Sequence, residues 1–448
     1  MLSTADRGWS YRPITAVSGY RDHWNPQKEN SMRTDSCPHL ATYQPLAPTQ
    51  LADPFSIWAE AREHCPVFYV PELDLWTVTR YEDVVAVLED AETYANGGTV
   101  GGTTVPDQHA ARFPDGVWSN AALINRDGEN HKRAKRLAQR AFLPRRINQL
   151  EDEMRDLAAG LLAPLAARGN GDLMNDFANP FTISTITRVL GLPPTDAALI
   201  HQVSEDALVI LTPGNAEGSG DAAFTDDQLL RFDRVVQFKD YLRTVIDDKR
   251  ESPDDGVISA LVHAEIDGQR LTDDEVEGMV LEQLIAGNDT AANMIGHAIF
   301  YLSKSPELWQ TVKSNLELVP RVVDEIVRRH SPSKGLFRRT TKDVVLSGVE
   351  IPKGQFLHVL WGSANTDGRH FQSPLQVDLN RDNIDSHLGF GRGEHRCLGS
   401  LLARLEGKVA ISAAFEHLGD ITITEEQPLR YAPALTNVSL MSLNAQFR

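Results

Sequence analysis

Apolar and polar positions along the chain predict mostly helices with a few short strands. From Pro54 to about His64 the apolar residues recur with the helical period. Val67 to Val70, a break at 71–74, and Leu75 to Thr79 read as a hairpin. Residues 81–90 return to a helical pattern, and the Gly- and Thr-rich stretch 96–107 reads as loop. Helical patterns dominate to about residue 331, strand-like patterns cover 344–360, and a long helix starts near Leu398. The clearest helix begins at Thr272, where Thr272 and Glu275 form a capping-box pattern, and nothing breaks it before Ser305-Pro306. About 31 residues at 1.5 Å each predict a rod of roughly 46 Å, long enough to cross the molecule. The last 30 residues alternate as short strands. Residues 1–46 lack periodicity and are expected to form an arm, partly disordered or packed on the body, ahead of one domain at 47–448.

Composition narrows the function classes. The 448 residues are 41% hydrophobic, enough for a large core. A net charge of −18 argues against non-specific binding to nucleic acid or to an anionic membrane. There is no apolar run of spanning length and no signal-peptide pattern, so a cytoplasmic protein is expected. Cys37, Cys65 and Cys397 are too few for a disulfide framework and include no CxxC pair for zinc or an iron–sulfur cluster.

One cysteine stands in unusual company. In HLGFGRGEHRCLGSLLARLE, residues 387–406, four glycines surround Cys397 at the start of a predicted helix. Glycines let backbone approach a flat object closely, and a helix start favours a thiolate. Far upstream, Ala286-Gly287-Asn288-Asp289-Thr290 interrupts an apolar stretch in the middle of the long helix. An acid and a hydroxyl buried there need a reason, the plain alternative being an exposed polar turn.

The cysteine stretch resembles the haem-binding signature of the cytochrome P450 family, F-x-x-G-x-[HR]-x-C-x-G, filled here by Phe390, Gly393, His395, Cys397 and Gly399. The resemblance covers roughly residues 50 to 448. It implies the family's fold, a triangular helical prism around a long central helix, mainly α with small β-sheets. It also implies haem b, with Cys397 as axial thiolate, Phe390 shielding the sulfur and His395 on a propionate. The run 286–290 is similar to the family's A-G-x-[DE]-T motif. There Asp289 and Thr290 would relay protons to dioxygen, while Ala286 and Gly287 leave room for oxygen and substrate. Glu325 and Arg328 match the family's E-x-x-R, completed by Arg381 as a structural ion-pair network. Arg338 lies where the family places a propionate arginine, with Arg339 as its rival. His131 matches H-x-x-x-R, but Lys135 replaces the arginine, a point charge instead of a planar fork. Arg136 could substitute, and the plain alternative for 131–136 is a solvated basic face. The stretch PVFYVPELDLWTVTRYEDV is also similar to haem domains of bacterial self-sufficient members.

The implied function is a monooxygenase that inserts one oxygen atom of O₂ into an organic substrate, by hydroxylation or oxidative dealkylation. The implied pocket includes 96–107, 205–224, Ala286, Leu336, Phe337 and Leu435, mostly apolar or small, which favours a small or medium-sized apolar substrate. Residues 212–224 read as a mobile lid or as an ordinary surface loop. No phosphate-binding glycine fingerprint is present, so electrons are expected from a separate protein. Residues 131–146 carry seven cations and no acid. An acidic ferredoxin is expected to dock near Arg133, Arg136 and Arg396. The alternatives are a peroxide-driven peroxygenase and a non-enzymatic haem sensor.

Overall fold

The structure is a computed structural model that describes residues 42–100, 105–113, 122–211, 224–425 and 428–448. The expected arm lies outside the described residues as far as position 41. Its end is docked, because Tyr43 is buried edge-on against Phe68 at 5.1 Å.

The long central helix forms as the sequence predicts. It spans Asp273–Lys304, 32 residues, with Thr272 as N-cap, Glu275 completing the capping box and Ser305 as C-cap. At 1.5 Å per residue it is about 48 Å long. It is buried on most sides, since Val276, Val280, Leu284, Ala292, Ile295, Ile299 and Leu302 all lie in one core. Around it pack the helices Asn179–Leu190, Asp226–Glu251, Val319–His330 and Ser400–Leu418. A helix apolar all round needs such a complete jacket.

Beside the helices lies a five-stranded sheet. Its order is Val67–Val70, Leu75–Val78, Phe356–Val359, Leu336–Thr340 and Tyr94–Ala95. The first two strands form the predicted hairpin, closed at Asp74 with φ 49°. Phe356–Val359 joins them in parallel, with Val359 opposite Val78. A smaller sheet joins Ile421–Ile423, Asn444–Phe447 and Asn170–Asp172, so the chain's end is tied back to its middle.

Glu325, Arg328 and Arg381 meet in full burial. Glu325 accepts from Arg328 at 2.8 Å and from Arg381 Nε. The two guanidiniums also donate to carbonyls of the segment ahead of the cysteine loop. Arg328 reaches Asn365 and Pro374 at 2.8 Å each, and Arg381 reaches Gln372 at 2.6 Å. One carboxylate thus neutralises two buried cations that together hold residues 365–376 in shape. Glu325→Gln leaves both cations uncompensated, and breaking a buried pair this way costs about 3–5 kcal/mol. We expect it to lower the urea midpoint strongly or to leave the protein insoluble, read by equilibrium unfolding and soluble yield.

Candidate active site

The cysteine loop is built from tight turns. Gly391 N donates to the Leu388 carbonyl at 2.8 Å, and Cys397 N donates to the Phe390 carbonyl at 2.8 Å. Gly393 takes φ 70°, and a Cβ there would run into the Leu88 carbonyl, so only glycine lets the loop lie on the helix Tyr81–Glu89. The helix Ser400–Leu418 begins three residues after the cysteine. Burial pushes the Cys397 thiol up, while the Gly399 N–H and the Lys135 charge pull it the other way. The thiol is enclosed by protein, yet its surface is accessible, so it borders an internal space. The Arg404 guanidinium covers the Phe390 ring at 4.4 Å on the cysteine loop.

The middle of the central helix borders this space too. Ala286 is exposed although its neighbours Leu284, Ala291 and Ala292 are buried. Thr290 Oγ1 donates to the Ala286 carbonyl at 2.7 Å. Asp289 turns elsewhere. It accepts from Ser439 Oγ at 2.8 Å, Asn437 Nδ2 at 3.3 Å and Asn293 Nδ2 at 2.9 Å. Burial pushes its carboxyl up, and these three donors oppose the shift. Gly287 corrects the expectation made for it. It faces the helix Asn179–Leu190, where an added Cβ would meet Ile186 at an ordinary 3.7 Å, so its small size serves helix packing.

A third wall gathers two histidines, an arginine and a lysine. His131, on the helix Gly128–Gln139, stacks on His395 with ring centroids 3.9 Å apart. Both nitrogens of His131 and Nε2 of His395 are buried without a hydrogen-bond partner among the described residues. Arg338 is buried and donates to its neighbour's carbonyl, Phe337 O, at 2.8 Å. Lys135 reaches across to the Glu394 and Arg396 carbonyls. Burial lowers all four, His131 to about 4, His395 to about 2 and Arg338 to about 10, with mutual repulsion among the cations adding to the shifts of the two histidines. Asp127, 3.9 Å from His395, is the nearby acid. Orphaned buried donors clustered with so little acid suit an anionic group. Together with one enclosed thiol, they fit an iron macrocycle that carries carboxylates. Arg339 is exposed on the other side, over Phe356, and Arg136 is exposed against Asp267, so neither joins the cluster.

Strand alternation separates two expected pocket residues. Leu336 and Arg338 share one face, while Phe337 turns to the opposite face, packing on His358 at 5.2 Å and on the cluster containing Trp58 and Leu360. Phe337 therefore does not line the space beside Arg338, a correction to the expectation. Leu435 is half-buried in the loop before Ser439. Residues 101–104 and 212–223 of the expected pocket lie outside the described residues.

The basic stretch is also less free than its sequence suggests. Arg133 and Arg126 share Glu275, a residue 142 positions from Arg133 in sequence. Lys132 pairs with Glu129 and Glu394, Arg392 with Glu89, and Arg404 with Asp324. Among the described residues Arg140, Arg145 and Arg396 are exposed without an acidic partner. Sequence reasoning missed Ser439 and Asn437 as partners of Asp289, and nothing local to either stretch signals them. It also missed Glu282, on the central helix one turn before Ala286, although an acid in the apolar run around Leu281 and Leu284 was a readable sign.

Comparison with known proteins agrees with this geometry. The family model for cytochrome P450 matches residues 223–443. The chain is similar to cytochrome P450 109 of Bacillus spizizenii, 32% identical over 360 residues that cover 80% of this chain and 83% of the relative. It is 30% identical to a steroid C26-monooxygenase of Rhodococcus jostii over 388 residues, 82% of this chain and 77% of the relative. Among solved structures it resembles CYP109Q5 of Chondromyces apiculatus, with TM-score 0.78, 32% identity, and coverage of 90% of this chain and 97% of that one. It also resembles CYP109E1 of Bacillus megaterium in complex with testosterone, with TM-score 0.76, 26% identity, and coverage of 88% and 99%. A thiol, a helix hydroxyl and a wall of histidine, lysine and arginine around one interior, in a chain with relatives this close over most of its length, have one explanation: the protein belongs to the cytochrome P450 family.

Proposed function

We propose that this P450 monooxygenase inserts one oxygen atom of O₂ into a small or medium-sized, largely apolar organic molecule. Haem b is held by Cys397, and electrons arrive from a separate acidic ferredoxin. The observation that carries the reading is the convergence of Cys397, Thr290 and the His131–Lys135–Arg338–His395 wall on one interior. Haem, when bound, supplies the binding and reduction of dioxygen.

The chain's own residues supply ligation, charge and protons. Cys397 gives the sulfur ligand, with Phe390 beside it. His395, His131, Arg338 and Lys135 hold the two propionates and relieve their own repulsion by doing so. The Thr290 hydroxyl donates to Ala286 at rest, so its lone pairs remain free to accept and a rotation lets it donate into the interior. Asp289 holds a proton more readily than an ordinary carboxyl because it is buried. It must leave Ser439 to pass that proton toward Thr290. A peroxide-driven enzyme or a sensor would have no use for this pair. Its relatives include a steroid C26-monooxygenase and an enzyme solved in complex with testosterone, which suits a medium-sized apolar substrate.

For docking, the free cations favour Arg396 and Arg140 over Arg133, which Glu275 already holds. The exposed Leu143 and Leu401 supply an apolar component nearby in sequence. An acidic partner would be steered to this cationic surface.

Three outcomes test the reading. Cys397→Ser should abolish the far-shifted Soret band of the reduced carbon monoxide complex, and a wild-type protein lacking that band would sink the assignment. Thr290→Ala and Asp289→Asn should each lower product formation by about 100-fold, the usual scale for a lost proton-transfer group. Thr290→Ala should also divert reducing equivalents to hydrogen peroxide, measured as the ratio of product to NAD(P)H consumed. Arg396→Glu should slow reduction by an acidic ferredoxin about tenfold at low salt, with the difference shrinking as ionic strength rises.

A further inference from the structure

The central helix carries a carboxyl that this mechanism does not use. Glu282 precedes Ala286 by four residues and Thr290 by eight, so all three follow one another on a single face of the helix. The axial separation from Thr290 is about 12 Å. Glu282 is enclosed by protein yet half accessible, as are its neighbours on that face, and its charge is felt at the Cys397 thiol. It therefore borders the same interior.

Among the described residues its carboxyl has no ionic partner. Oε2 accepts from the Leu123 N–H at 2.7 Å, and the Ile124 N–H is a second backbone donor. The nearest guanidinium, Arg126, makes its ion pair with Glu275 at 2.6 Å. Among the described residues no cation lies within ion-pair distance of Glu282. Burial pushes its carboxyl up to about 7, with the two N–H groups and Arg126 opposing. Holding the turn Leu123–Asn125 against the helix needs only an acceptor, which a neutral amide side chain also offers. A relay role is disfavoured, because Asp289 directs its hydrogen bonds to Ser439, Asn437 and Asn293 and not toward Glu282. A buried acid without a counter-ion either takes up a proton or gains from a ligand that supplies the opposite charge.

We propose that Glu282 is a specificity determinant that anchors a positively charged nitrogen, so that the preferred substrates are amines carried on an apolar body. This rests on the monooxygenase reading and refines its substrate class. The apolar body lies toward Ala286 and Thr290, and the nitrogen sits one to two turns away, beside residues 123–124.

The test compares two probes that share a tail, dodecyltrimethylammonium and dodecanol, on the holoenzyme. The quaternary nitrogen has no lone pair and cannot ligate iron. Affinities are read from the Soret spin-state shift and by calorimetry. Wild type should prefer the cation by about tenfold or more, the scale of one buried charge contact. In Glu282→Gln the ratio of the two affinities should fall to about one, while Glu282→Asp should keep a preference. A wild-type ratio at or below one, no binding of the cation, or an unchanged ratio in Glu282→Gln overturns the proposal and leaves a tether for residues 123–125. If Glu282→Gln fails to hold haem, the wild-type ratio decides alone. The carbon monoxide spectrum is recorded first, so a failure of haem ligation is distinguished from a failure of amine recognition.

Discussion

Buried positive charge has to be balanced, and Arg338 and Lys135, packed with two histidines that burial keeps neutral, are only partly balanced by Asp127 and Glu394. These residues come from a helix, a strand and a loop that are distant in sequence. Two of them stack ring on ring, and each histidine is lowered by the charge of the others as well as by burial. An anionic group bound here would attract both cations and could accept hydrogen bonds from the unpartnered histidine nitrogens. A cofactor that binds the native state alone would stabilise the fold by mass action. The Glu325 triad does the complementary work inside the chain. It neutralises its own cations and fixes residues 365–376, so that the loop beyond them presents Cys397 to the interior before any cofactor arrives.

Asp289 and Thr290 adjoin in sequence but not in orientation. Successive helical residues diverge by about 100°. Thr290 therefore looks into the interior while Asp289 looks toward the strand Ser439–Leu440. That contact makes the acid part of the packing between the central helix and the C-terminal strands. The same hydrogen bonds that hold it oppose the rise in its pKa, so breaking the contact with Ser439 would make the carboxyl hold a proton more tightly and re-forming it would favour release. The protonation of Asp289 and the local fit of the C-terminal segment are then linked.

Local rules made much of this legible. The capping box at Thr272 and Glu275 and the stop at Ser305 place both ends of the central helix from sequence. The hairpin and its turn at Asp74 follow from alternation and turn chemistry. Period-two alternation also separates Leu336 from Phe337, and grouping them in one pocket set that rule aside. What the sequence hides are pairings across long separations. Glu275 reads as a cap residue, and it is one, but its second oxygen also neutralises Arg126 and Arg133 and removes Arg133 from the free basic surface. Gly287 reads as space for oxygen because the motif is short, whereas its direction depends on which neighbouring helix it meets.

The interior is lined by opposite charge on its two sides. Lys135 on the helix Gly128–Gln139 and Arg338 on the strand Leu336–Thr340 bring positive charge, and the central helix carries Glu282 toward the interior and Asp289 turned to the strand Ser439–Leu440. The propionates would consume the first set, and Ser439, Asn437 and Asn293 already occupy Asp289. Glu282 would then remain as a carboxyl without an ionic partner among the described residues. On its own face of the helix the accessible surface includes the small Ala286. A neutral apolar molecule could fill such a space in several orientations, since apolar contact is non-directional. One fixed carboxyl at a set distance from Thr290 removes that freedom for a molecule bearing a cation. Recognition and the position of oxidation are then set by the same ion contact.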